Sequence, residues 1–189
     1  MASGAGNNLT LNLALTFKPA FAGTRNTYMA VNDGVDSGWL QKGMWTVPSI
    51  LTPVSATPNS GTGSSQTFAF LFSAPAGYAS IVSASMIIGS GSAGTCSFYY
   101  ARASNTIYLS NDASTGWLAP ATLGSSATLQ NSQCSLNLAA SSAVGSGSNL
   151  TVNLALTFKP AYAGSKSISM EVYNGSDSGW FQRGTWIVP

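Results

Sequence analysis

Histidine is absent from this 189-residue chain, which removes the commonest general base and the commonest transition-metal ligand. Charge is almost as scarce. Seven Lys and Arg with five Asp and Glu make up 6% of the residues, against roughly 25% in an average soluble domain. Without a basic block there is no electrostatic footprint for nucleic acid. Without an apolar run of about 18 residues, no membrane insertion is expected. Cysteine occurs only at Cys96 and Cys134, with neither a CxxC spacing nor a histidine nearby, so zinc is not supported. The opening residues MASGAGNN carry neither the basic nor the apolar stretch of a signal peptide. The export signal of an exported protein would therefore lie outside this sequence.

What the chain does contain is small and β-prone. Thirty Ser, 17 Thr and 20 Gly accompany 44% apolar and 11% aromatic residues. That is too apolar for a disordered tail and sufficient for a core. The even cysteine pair, in a Ser- and Thr-rich setting typical of secreted proteins, predicts a Cys96–Cys134 disulfide.

The strongest signal is internal. Residues 8–48, NLTLNLALTFKPAFAGTRNTYMAVNDGVDSGWLQKGMWTVP, align without a gap to residues 149–189, NLTVNLALTFKPAYAGSKSISMEVYNGSDSGWFQRGTWIVP, with 26 identities in 41 positions. An ungapped match of that length reads as a duplication. Residues 49–189 then form one full period, and residues 1–48 are the C-terminal third of a preceding one.

Within the full period the apolar residues alternate. Leu150, Val152, Leu154, Leu156 and Phe158 share one face, as do Phe68, Phe70 and Phe72, and again Ile168, Met170 and Val172. About nine short runs of this kind, separated by Gly, Ser, Asn and Pro, predict an all-β antiparallel sandwich. The orphan third is expected to add a three-stranded meander whose first strand exposes Leu9, Leu11, Leu13, Leu15 and Phe17.

The TPNSGTGSSQTFAF opening, the SISMEVYNGSDSGW hairpin and the TWIVP ending resemble the tandem Ig-like repeat modules of large bacterial surface and secreted proteins. The resemblance implies an Ig-like sandwich with residues 57–72 as strands A and B, 80–88 as C and 96–110 as an extra hairpin. Residues 127–138 would be D, 149–158 E, 167–173 F and 179–188 G. Residues 1–48 would supply E–F–G-like strands only. It also implies a corner tyrosine at Tyr162, whose copy is Phe21. The cysteine pair would join the extra hairpin to D, unlike the B–F bridge of antibody domains.

Candidate chemistry is thin. The carboxylates are Asp33, Asp36, Asp112, Glu171 and Asp177, whereas a glycosidase needs two facing each other across a cleft. Glu171 is out of phase with the inward residues and is expected on the solvent face. A serine nucleophile would need Lys18 or Lys159 as its base, and strand-end lysines are ordinarily solvated cations. Asp33 and Asp36 in VNDGVDSG could help to hold calcium, although Asx turns explain the same residues. Trp45 and Trp186 are expected to pack on a sheet face. Trp117 with Tyr99 or Tyr100 makes the better candidate for stacking on a carbohydrate.

The reading is a non-catalytic extracellular or cell-surface module with a structural, spacing or adhesive role. It needs no cofactor beyond the calcium candidate and takes a glycan or a surface protein as ligand. The alternatives are a carbohydrate-binding module and a promiscuous hydrolase. The apolar face of residues 8–48 predicts a homo-oligomer, through face-to-face packing or strand exchange.

Overall fold

The computed structural model describes residues 2–17, 21, 23–47, 50–89 and 93–189. The chain divides into two compact units, Met1–Ser49 and Ile50–Pro189. Lys18, one of the two candidate bases, lies outside the described residues. No helix among the described residues is long and apolar enough to cross a membrane.

The first unit holds β1 (Ala2–Ala5), β2 (Asn8–Leu11), β3 (Gly23–Met29) and β4 (Leu40–Val47), paired as two separate two-stranded sheets, β1-β2 and β3-β4. The second holds β5 (Thr52–Thr57), β6 (Ser60–Thr62), β7 (Ser65–Ser73), β8 (Ser83–Ile88), β9 (Cys96–Ala101) and β10 (Thr106–Leu109). It continues through β11 (Ala121–Thr122), β12 (Thr128–Gln130), β13 (Cys134–Ser146), β14 (Asn149–Phe158), β15 (Gly164–Tyr173) and β16 (Phe181–Val188). These form a five-stranded sheet of order β12-β13-β14-β7-β5 and a seven-stranded sheet of order β11-β10-β9-β8-β15-β16-β6. The pairing is antiparallel apart from β6 alongside β16.

Alternation drives the sandwich. Phe68, Phe70 and Phe72 on β7, with Leu150 to Phe158 on β14, turn one face of the five-stranded sheet inward. Met86 and Ile88, Phe98, Ile168 to Val172, Trp186 and Val188 answer from the other sheet, and one continuous core results. Each such side chain, fully buried, contributes about 1.5–3 kcal/mol. Phe68 sits at the junction, its ring 5.2 Å from Trp186 across the core and 6.3 Å from Phe158. The Trp186 indole N–H donates to the Gly63 carbonyl at 2.8 Å, so its burial leaves no polar group unpaired. Tyr162 is likewise buried, and its hydroxyl donates to the Ile88 carbonyl. Gly89 beside it has φ 135°, and a Cβ there would meet the Tyr162 hydroxyl.

Three features differ from expectation. Residues 127–138, expected as one strand, form instead the antiparallel hairpin of β12 with the start of β13, turning at residues 131–133. β13 then runs past Leu138 to Ser146 through a bulge between Asn137 and Ser142. There the Ser141 hydroxyl donates to the Asn137 carbonyl at 2.6 Å and accepts the Ala155 N–H at 3.0 Å. A side chain replaces a ladder bond, so no apolar pattern was needed to extend the strand.

Among the described residues, β2 does not pair with β3 or β4 to make the three-stranded meander expected from residues 8–48. β2 covers only Asn8–Leu11 and pairs with β1, while β3 pairs with β4. The complete unit gives the reason. β14, the counterpart of residues 8–17, lies between β13 and β7, whereas β15 and β16 belong to the opposite sheet. The duplicated segment is one strand of one sheet plus a hairpin of the other, so it cannot close on itself. Trp45, expected on a packed face, is exposed for the same reason.

The Cys96–Cys134 disulfide is present, with Cα atoms 6.0 Å apart, and it staples β9 of one sheet to β13 of the other. Its sequence separation of 38 corresponds to about 4 kcal/mol of unfolded-chain entropy. Reduction, or replacement of both cysteines by serine, is expected to cost stability of that order. Urea unfolding of oxidised and reduced protein measures it, and coincident curves would refute the stapling role.

Candidate functional site

The outer face of the seven-stranded sheet carries a row of side chains set by cross-strand register. Tyr108 on β10 faces Tyr99 on β9, Tyr99 faces Ser85 on β8, and Ser85 faces Glu171 on β15. Period-two alternation puts all four on the same side. Trp117 joins the aromatic end of the row. Its ring centroid is 5.8 Å from Tyr99 and 6.3 Å from Tyr108, and the two tyrosines are 5.7 Å apart. The indole is 49% exposed.

A short loop holds Trp117 in place. The Asn111 N–H donates to the Gly116 carbonyl at 2.9 Å, and its side-chain oxygen accepts the Thr115 N–H at 3.0 Å. Ser114 adopts φ 53° in the turn, and Trp117 bridges back to Ser110. Beneath lies Asn131, whose amide is fully used. Its oxygen accepts the N–H groups of Gln133 and Cys134, both at 2.9 Å. Its nitrogen donates to the carbonyls of Thr95 at 3.0 Å and Ser110 at 3.2 Å. Asp112 adds a clamp, accepting the Ser132 N–H at 2.8 Å and hydroxyl at 2.7 Å. These two bonds hold its carboxyl below the usual carboxylate range.

Two hollows flank the rings. One, of about 250 Å³, is lined by Thr95, Ser97, Ser110, Ser114, Thr115, Gly116 and Trp117. The other, of about 210 Å³, is lined by Ser83, Ser85, Tyr99, Glu171, Val172, Tyr173 and Asp177. Burial, then the nearby Asp177 carboxylate, pushes the Glu171 carboxyl up. The surface thus offers ring faces for stacking, hydroxyls on one side and a carboxylate pair on the other.

Of the residues singled out from sequence, Trp117 and Tyr99 meet here. Tyr100 does not. It is 3% exposed, because the alternation that turns Tyr99 outward turns its neighbour into the core. There its hydroxyl donates to Asn105 at 3.1 Å and fixes the β9–β10 turn. Tyr108 takes the place given to Tyr100, and the cross-strand partner of Tyr99 was the signal for it. The juxtaposition of Glu171 with Asp177 needed the β15 hairpin loop and had no local signature. Lys159 donates to the Gln130 side chain at 3.3 Å. Asp33 and Asp36 each accept a backbone N–H two residues on, from Val35 at 3.3 Å and Gly38 at 2.9 Å, as Asx turns do. No group of three or more His, Cys, Asp or Glu suited to a metal occurs among the described residues. Leu9, Leu11, Leu13, Leu15 and Phe17 are all exposed.

Compared with known proteins, the chain matches no protein-family model, no curated protein and no solved structure.

Because the Glu171 carboxyl is raised in the folded protein, its ionisation opposes folding. The stabilising protonated form is fully present below the ordinary carboxylate range and is lost as pH rises through the raised value. Glu171→Gln is therefore expected to melt above the unmodified chain at pH 7, with the gap closing by about pH 3. Thermal melts across that range test it, and a gap independent of pH would contradict the assignment.

Proposed function

We propose that residues 50–189 are an Ig-like module of variable type, one unit of a repeat-containing surface or secreted protein, with a spacing and adhesive role and no catalysis. The strand order carries the reading. Apart from the short edge strands β11 and β12, β6-β16-β15-β8-β9-β10 facing β5-β7-β14-β13 follows the order A′-G-F-C-C′-C″ against A-B-E-D. The disulfide supports an oxidising compartment. Its position between C′ and D, rather than B and F, sets the module apart from antibody domains. The backbone supports the repeat. β3-β4 and β15-β16 share register and bulge position throughout, from Gly23 opposite Val47 and Gly164 opposite Val188 to Met29 opposite Leu40 and Met170 opposite Phe181. Antibodies raised to the chain should label intact, unpermeabilised cells of the source organism or its culture medium. Antigen confined to the cytosol would overturn the reading.

A second reading, carbohydrate binding, is favoured by the Trp117–Tyr99–Tyr108 rings between hydroxyl- and carboxylate-lined hollows. Aromatic faces meet the C–H faces of a sugar while polar groups meet its hydroxyls. On a glycan array the intact chain should bind. Trp117→Ala should weaken that binding about tenfold, equal to about 1.4 kcal/mol and within the range of one aromatic contact, with the melting temperature unchanged. No binding, or binding indifferent to Trp117, would remove this reading and leave the spacing role.

A further inference from the structure

Strand parity puts Ser83 on the same outer face as Ser85, opposite Tyr173 of β15. Yet Ser83 is only 5% exposed. It is the floor of the hollow whose walls include Ser85, Tyr99, Glu171 and Asp177. Its hydroxyl bonds to no described residue. The two carboxylates likewise accept no hydrogen bond and meet no cation among the described residues. Each of the chain's other three carboxylates accepts a backbone N–H: Asp33 from Val35, Asp36 from Gly38 and Asp112 from Ser132. The one pair of acids brought together by the fold is also the pair left without donors.

Such a hollow is matched to a group that carries positive charge and several N–H bonds. An ammonium has three donors, enough for Glu171, Asp177 and the Ser83 hydroxyl, and charge-assisted bonds are roughly twice as strong as neutral ones. It would offset the repulsion between the two acids, and the Tyr99 ring in the same wall attracts a cation to its face. A neutral hydroxyl does neither. A divalent ion finds no third His, Cys, Asp or Glu to complete its site among the described residues. The chain as a whole carries a net charge of +2, so attraction for a cation has to be local.

Tyr99 belongs equally to the ring cluster with Tyr108 and Trp117, so the hollow opens beside a stacking platform. From Tyr108 to Glu171 the row crosses four adjacent strands, about 14 Å at ordinary strand spacing. An oligosaccharide spans that length and a single sugar does not. Resting on the carbohydrate-binding reading above, we propose that this face takes an oligosaccharide bearing a free ammonium group. Its sugar rings lie against Trp117, Tyr108 and Tyr99, and its ammonium sits among Glu171, Asp177 and Ser83.

Calorimetric titration of the full chain tests this with four probes: the tetramers of β-1,4-linked glucosamine, N-acetylglucosamine and glucose, and tetralysine. The buffer is low in salt, contains a chelator and is held at about pH 6, where the sugar amine is protonated and ordinary carboxylates are ionised. The glucosamine tetramer is expected to bind about tenfold more tightly than either neutral tetramer, a factor on the order of one hydrogen bond to a charged group. Glu171→Gln and Asp177→Asn should each abolish that preference while the neutral tetramers bind as before and the thermal melt stays cooperative. Equal binding of the three tetramers, or a preference that survives both substitutions, would overturn the ammonium site and leave the carbohydrate reading standing. Failure of every tetramer to bind would overturn both. Tetralysine bound through Glu171, with the glucosamine tetramer unbound, would also overturn the proposal and make the ligand a basic protein segment.

Discussion

Everything in the larger unit depends on one strand being central in its sheet. β14 pairs with β13 on one side and β7 on the other for nearly its whole length. It carries Leu150, Val152, Leu154, Leu156 and Phe158 on a single face. Placing five large apolar side chains in register with Phe68, Phe70 and Phe72 brings eight of the 30 buried core residues from two adjacent strands. The opposite sheet then has to supply a matching apolar face, which β8, β9, β15 and β16 do. Removing β14 would split its sheet in two and open the core along its length, so loss of this strand is qualitatively worse than loss of an edge strand such as β5 or β12.

With so little charge, side-chain hydroxyls and amides hold the loops that ion pairs would hold elsewhere. Asn131 satisfies both amide atoms by tying the entry to β9, the end of β10 and the turn into β13 together. These are the same loops that the disulfide anchors. Ser178 accepts the Val172 N–H and donates to the Gly179 carbonyl, and Ser37 repeats both bonds at Val31 and Gly38. A neutral network of this kind carries no net charge to be screened, so its strength is largely insensitive to salt. Bonds of the same kind between Asn111, Thr115 and Gly116 hold the loop that presents Trp117.

Periodicity made the core legible. Each of the alternating faces of β7, β14 and β15 could be read from sequence, because a strand with one buried face must repeat every second residue. The partition of strands between sheets was less accessible. Residues 149–189 are contiguous and strongly β, and nothing local says that β14 joins one sheet and β15 the other. The mistaken meander for residues 8–48 follows from that gap. The candidate site was half legible for a related reason. Trp117 and Tyr99 stood out by type, but choosing Tyr108 over Tyr100 required the β9–β10 register. Asn131 and Asp112 act through partners about 20 to 36 residues away, beyond the reach of any local pattern.

The internal copy also separates what the fold requires from what the outer surface is free to vary. Along β15 the inward Met170 and Val172 are matched by Met29 and Val31, with Thr27 in place of inward Ile168, while outward Ser169, Glu171 and Tyr173 are all replaced, by Tyr28, Ala30 and Asn32. The carboxylate that closes one end of the aromatic row is therefore absent from the copy. The other members of that row, Tyr99, Tyr108, Trp117 and Ser85, lie in residues 50–148, outside the duplicated segment. The recurring third supplies closure of the sandwich, and the non-recurring part supplies the distinctive surface.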